Sequence, residues 1–207
     1  MATYGGTVDL IITELARSDS SITAVVEREV LKAIEHYAPT RFWFNEARGS
    51  FTASNTMFYA LSALTVSFLE IDQMTVTINS GVVELEKATH QELNRIDVSA
   101  FTGPPSRWAI WAEQIRLYPR PASGTSYQVD VDGTKRLATL SASTDTNAWT
   151  TEGLDLISAH VQKNLWAKKF KDPAQAQVFQ VAETEALNRL LGRTERLGST
   201  GRIRPGY

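Results

Sequence analysis

The chain has 207 residues, 21 Lys and Arg, 23 Asp and Glu, a formal net charge of −2, 43% hydrophobic residues and no cysteine. That length suits one large domain or two small ones, and the composition excludes disordered, collagenous and coiled-coil-rod classes. The missing cysteine excludes a disulfide framework, a thiolate nucleophile and a thiolate metal site, and the near-neutral charge excludes a coat of basic field for nucleic acid.

Residues 1–18 carry no basic n-region, and Asp9 and Glu14 interrupt their apolar residues. Neither a signal peptide nor a membrane span is expected, and the chain is expected to stay where it is made. Ile22, Val25, Val26, Val30, Ala33, Ile34 and Tyr37 recur at the spacing of one helical face, with Ala38-Pro39 as the stop. A shorter helix is expected before it, capped by Thr7 and broken at Ser18-Asp19-Ser20.

The period then changes. Phe51 to Ala53, Met57 to Leu61, Met74 to Ile78 and Val82 to Glu86 read as strands, and Asn79-Ser80-Gly81 as a hairpin turn. Residues 87–98 read as a short helix carrying Leu93 and Ile96, and Gly103-Pro104-Pro105 as a loop. Arg107 to Trp111 and Gln114 to Tyr118 resume strand character, closed by Pro119-Arg120-Pro121. Tyr127, Val129 and Val131 alternate with polar residues as in a half-buried strand.

Residues 138–148 are small and polar, which predicts a surface loop. Leu154, Ile157, Val161 and Leu165 then mark a helix with Glu152 and Asp155 at its start and Lys168, Lys169 and Lys171 at its end. Asp172-Pro173 restarts a helix whose buried face is expected to carry Phe179, Ala182, Ala186 and Leu190. Helices at both ends must pair to bury their faces. The expected fold is α+β: bundle helices over 1–40, an inserted β-rich domain over 41–148 projecting from one end, a helix pair over 149–197 and an extended arm over 198–207.

Enzyme signatures are missing. The chain has no G-x-x-x-x-G-K-[ST], G-x-G-x-x-G or G-x-S-x-G, so neither a cofactor nor a catalytic residue is expected. His36, His90 and His160 sit on three different predicted helices with no partner at i+4, and read as solvated or half-buried surface histidines. Asp130 and Asp132 share a strand face, as a two-carboxylate magnesium site would need; the plainer reading makes Asp132-Gly133 a turn and Asp130 a solvated side chain. Phe42, Trp43 and Phe44 read as a hydrophobic plug rather than a stacking platform for single strands. Trp108 and Trp111 are expected on opposite strand faces with one packed inward, and Trp149 and Trp166 as anchors of the last helix pair. The last fifteen residues hold Arg193, Arg196, Arg202 and Arg204 against Glu195 alone, either a frayed end or an arm that orders on a partner.

The order Phe42-Trp43-Phe44-Asn45-Glu46, Phe51-Thr52, Tyr59-Ala60-Leu61, Gly103-Pro104-Pro105, Ile115 to Pro121 and Asn147-Ala148-Trp149 before Leu156-Ile157 resembles the head-to-tail adaptor proteins of tailed bacteriophages, also called connector or head-completion proteins. The resemblance spans about 20–207. It implies a structural ring, expected to be a dodecamer, that docks beneath the portal once the genome is packaged, in the neck of a virion assembled in the host cytoplasm. It also implies a tail or nozzle partner on the β side, DNA passing through the lumen without sequence-specific contact, and no membrane. The implied portal-binding arm is 193–207, with Arg193, Arg196, Arg202, Ile203, Arg204 and Tyr207 as its contacts. Two other expectations stand beside it: a second ring-forming tail-completion protein, and a metal-dependent DNA-processing enzyme using Asp130 and Asp132.

Overall fold

The computed structural model describes residues 2–16, 20–96 and 101–198. Its fold is α+β, and the chain divides into two compact units, Met1–Asn45 with Leu137–Tyr207, and Glu46–Arg136. Residues 41–45 and 137–147, placed by the sequence with the strands, pack with the helices instead. The reason is the aromatic group. Phe42 is fully buried, stacks on Phe44 at 5.3 Å, and both rings meet Trp149 edge-on at 5.8 and 5.1 Å. Buried Asn45 shapes this turn: its Oδ1 accepts from Phe42 N at 2.7 Å, and its Nδ2 donates to Thr40 O at 2.9 Å.

The helical unit comprises α1 (Tyr4–Glu14), α2 (Ser20–Tyr37), α4 (Ala148–Thr151), α5 (Leu154–Asn164) and α6 (Pro173–Gly198). Ile22, Val26, Val30, Ala33 and Tyr37 of α2 are buried against Val8 and Ile11 of α1 and Leu156, Ile157 and Val161 of α5. A turn of π-helix, Leu165–Lys169, ends α5, and Asp172 starts α6 by accepting from Ala174 N and Gln175 N at 3.1 Å each.

Three sequence expectations change here. The N-cap of α1 is Thr3, not Thr7; the Thr3 side chain accepts from Gly6 N at 3.1 Å, and Thr7 is buried with its hydroxyl on Thr3 O. Residues 138–148 are more than a surface loop. Leu140 is buried, and the carbonyls of Asp145 and Ser143 accept from Tyr4 N at 2.8 Å and Gly5 N at 2.9 Å, satisfying donors that the first helical turn leaves free. A Cβ on Gly5 would lie 2.9 Å from Ser143 Cβ, so this approach needs glycine. On α6, Ala182 is exposed, and the buried face carries Ala176, Glu183, Ala186 and Leu190.

The β unit holds two four-stranded sheets. One runs β1-β8-β3-β4, all antiparallel, from β1 (Glu46–Ser54), β3 (Phe68–Ile78), β4 (Gly81–Glu84) and β8 (Ser126–Lys135). The other runs β2-β7-β6-β5, from β2 (Phe58–Ala60), β5 (Glu86–Lys87), β6 (Arg107–Trp111) and β7 (Gln114–Tyr118), with β5 parallel to β6. The stretch read as one strand from Val82 to Glu86 therefore serves both sheets, turning at buried Leu85. Between the sheets lie Phe51, Met74, Val76, Trp108, Ile115, Leu117, Val129 and Val131. The helix α3 (His90–Ile96) buries Leu93, leaves Ile96 half-buried and packs on β6; residues 97 and 98 of the expected helix lie outside the described residues.

The β3–β4 turn has Asn79 and Ser80 at φ 47° and 68°, the handedness that matches strand twist, while Gly81 begins β4. Ala112 and Glu113 play the same part between β6 and β7 at φ 48° and 58°. Asp132-Gly133 is not a turn. Gly133 lies inside β8, opposite Ala47 on one side and Ile71 on the other, where β3 is bulged. A Cβ there would sit 2.2 Å from Glu70 O, so the glycine admits a neighbouring backbone.

Candidate functional site

Where α2, α5 and α6 meet, three titratable side chains converge on Glu183, only 8% exposed. The Tyr37 hydroxyl donates to Oε1 at 2.5 Å, Lys163 Nζ donates to Oε2 at 2.5 Å, and His160 Nδ1 lies 2.6 Å from Oε1. A carboxylate only accepts, so His160 carries its proton on Nδ1 toward Glu183. The His36 ring stacks on His160 at 5.2 Å. Burial would raise the Glu183 carboxyl, but the bonds from Lys163, Tyr37 and His160 outweigh it and hold the group below the usual carboxylate range. Burial, then the Glu183 carboxylate, pushes the Tyr37 phenol up. Burial pulls the His160 imidazole down against the opposing pull of Glu183. The Glu183 carboxylate is paired with an ammonium and flanked by two further hydrogen-bond partners, which suits a packing lock better than acid–base work.

Two of the expected portal contacts, Arg193 and Arg196, lie on α6, within the helix pair expected over 149–197. Arg193 Nη1 donates to Glu152 Oε2 at 2.7 Å, and its guanidinium lies 4.2 Å from the Trp43 ring centroid. One turn earlier, Arg189 Nη1 donates to Asp155 Oδ2 at 2.9 Å, and Thr194 Oγ1 accepts from Trp43 N at 3.3 Å. Arg196 Nε donates to Gly192 O at 3.1 Å. The cationic end of α6 is thus laid along the acidic start of α5, a pairing that the antiparallel helices and their opposed dipoles both favour. Arg202, Ile203, Arg204 and Tyr207 lie outside the described residues.

In the β unit the two aspartates that a nuclease would use share one face of β8, and each has a side-chain hydrogen-bond partner. Asp132 is engaged by Arg48, whose Nε and Nη2 each donate to it at 2.7 Å, while Asp130 accepts from Gln128 Nε2 at 3.3 Å. On the α3 side of the second sheet, buried Arg116 donates from Nη1 to Asn94 Oδ1 and lies 5.6 Å from the Phe58 ring. His90 stacks on Trp111 at 4.6 Å, and Trp111 is 56% exposed while Trp108 is buried, the inside–outside pair that the three-residue spacing predicts. Trp149 is buried in the helical core, and Trp166 packs on Phe170 at 4.9 Å.

Sequence reading missed the Glu183 cluster. Its test for histidine partners looked only along one helix, whereas His36, His160 and Glu183 come from three. The available signal was that apolar spacing on α6 fits Ala176, Leu190 and Ala186 only if position 183 also faces inward.

Among the described residues, no helix is long and apolar enough to cross a membrane. Comparison with curated proteins finds no match. A family model described as SU10 adaptor protein matches residues 2–206, so the chain belongs to that family of bacteriophage structural adaptors and is a virion component.

Proposed function

From that membership we propose that the chain forms a ring, a dodecamer, that docks beneath the portal after genome packaging and joins head to tail around the DNA channel. The observation that carries this reading is the family match over residues 2–206. A tail or nozzle protein meets the β side, and DNA crosses the lumen without sequence-specific contact. A net charge of −2 supports that last point, because a wall of basic residues would hold the phosphates by counterion release. The ring sits in the neck of the virion.

The portal contact is assigned to the arm, chiefly Arg202, Ile203, Arg204 and Tyr207. Arg193 is already engaged by Glu152 and Trp43, so a deletion starting at 193 would damage the helical unit as well. Deleting 199–207 is the cleaner test. Electron microscopy of the chain mixed with purified portals should show a ring on each portal, and the truncated chain should bind at least about tenfold more weakly. Undiminished binding by the truncated chain removes the arm's role. Density found only on isolated tails identifies a tail-completion ring instead.

A further inference from the structure

The β unit carries an apolar groove and an apolar knob on opposite faces of its second sheet. The groove encloses about 450 Å³ and is walled by Leu61, Leu64, Val66 and Ile110, with Glu70 and Lys87 on its polar side. The knob is Trp111 at the end of β6, 56% exposed, with one face stacked on His90 and the other open. Ile110 and Trp111 are adjacent in a strand and so point to opposite faces. Trp111 therefore cannot enter the groove of its own chain, because the sheet lies between.

We propose that Trp111 inserts into this groove on a second copy of the chain, and that this is the repeating contact of the ring; the inference rests on the ring reading above. The chemistry on the two sides is complementary. An indole offers a large apolar body and one N–H donor, and the groove offers apolar walls and the Glu70 carboxylate as acceptor. Exposed Glu113, in the turn that follows Trp111, brings an anion toward Lys87. Knob and groove are different surfaces, so the contact is head-to-tail. Such contacts propagate from copy to copy and close into a ring when the rotation allows, whereas a two-fold contact would stop at a dimer. Tryptophan in an apolar pocket is also the residue type on which binding energy most often concentrates.

The test uses two full-length variants. Trp111→Asp keeps the groove and loses the knob, while Leu64→Asp keeps the knob and spoils the groove. Each alone should assemble at least about 30-fold more weakly than wild type, measured by analytical ultracentrifugation on the species wild type forms, or on purified portals if rings form only there. Mixed, the two variants should give a one-to-one dimer that grows no further, because one sound interface remains between them. A photo-cross-linking residue at position 111 in the otherwise unchanged chain guards against a misfolded variant, and its adducts should map to residues 61–70 of another copy. Rings that persist in Trp111→Asp, or adducts from 111 on the portal, a tail protein or another part of the chain, overturn the proposal. A wild-type chain that forms no ring in solution or on portals overturns the ring reading itself, so the two failures are distinguishable.

Discussion

Between the sheets of the β unit the buried side chains, from Phe51 to Val131, are apolar, whereas in the helical unit a carboxylate, a phenol, an imidazole and an ammonium meet inside the helix packing. The difference follows from where each unit gets its register. Strands are aligned by their own backbone bonds, as when Gly49 faces Val131 and Met74 faces Val131 from the other side, so the side chains between sheets need only fill space. Helices satisfy their backbone internally and could rotate or slide on smooth apolar faces. Glu183, accepting from α2 and α5 at once, gives α6 one setting.

The comparison can be broken most severely at Gly133. Gly133→Val places a side chain on the Glu70 carbonyl, and neither backbone can give way without losing a ladder; we expect a loss of at least about 4 kcal/mol, read from chemical denaturation. The matching change in the helical unit is Glu183→Ala, which strands Lys163 Nζ and the Tyr37 hydroxyl and should cost about 3 kcal/mol. Glu183→Gln keeps an acceptor and should cost clearly less. Equal losses for the two substitutions would mean that position 183 matters for its volume and not for its bonds.

Near pH 6, protons separate the units next. The His160 imidazole lies below its ordinary 6.5, so below that pH unfolding takes up a proton and stability falls as acid is added. The Glu183 carboxyl lies below its ordinary 4.5, and its contribution, full above that value, is lost as pH falls through its lower folded value. The Tyr37 phenol lies above its ordinary 10.0, so above that pH unfolding releases a proton and stability falls again. Urea midpoints of wild type between pH 5 and 11 should trace a plateau with two shoulders. His160→Gln should flatten the acid shoulder near 6.5, and Tyr37→Phe should reduce the alkaline one, to which the raised phenols of Tyr4 and Tyr59 also contribute; a wild-type profile without an acid shoulder removes His160 from the proton balance. The smallest effect expected is at Arg193→Ala, about 1 kcal/mol, because a half-exposed ion pair and one cation–π contact are all it gives up.

What the sequence shows and what it hides divide along the same physical line. Local chemistry was readable: Asp172-Pro173 as a helix start, Asn79-Ser80 as a hairpin, the Trp108 and Trp111 alternation, and the α+β order of elements. Features set by a distant partner were not. The hydroxyl that fixes Glu183 lies 146 residues away, and the face drawn through Phe179 and Ala182 passes over the one shared by Ala176, Glu183 and Leu190. Asp-Gly marks tight turns and bulged crossings alike, and only the carbonyl of Glu70, on another strand, decides for the second at Gly133. Arg193 read as part of a tail because Trp43, its partner, is far off in the chain.

The carbonyls of Ser143 and Asp145 that close the first turn of α1 set an order of events. During synthesis α1 lacks two of its acceptors until residues 143–145 exist, and its core partners Leu156, Ile157 and Val161 come later still. The strands of the described residues, by contrast, lie within one stretch, Glu46–Arg136. During synthesis the middle of the chain can complete its core while both ends wait for each other, so the helical core closes last.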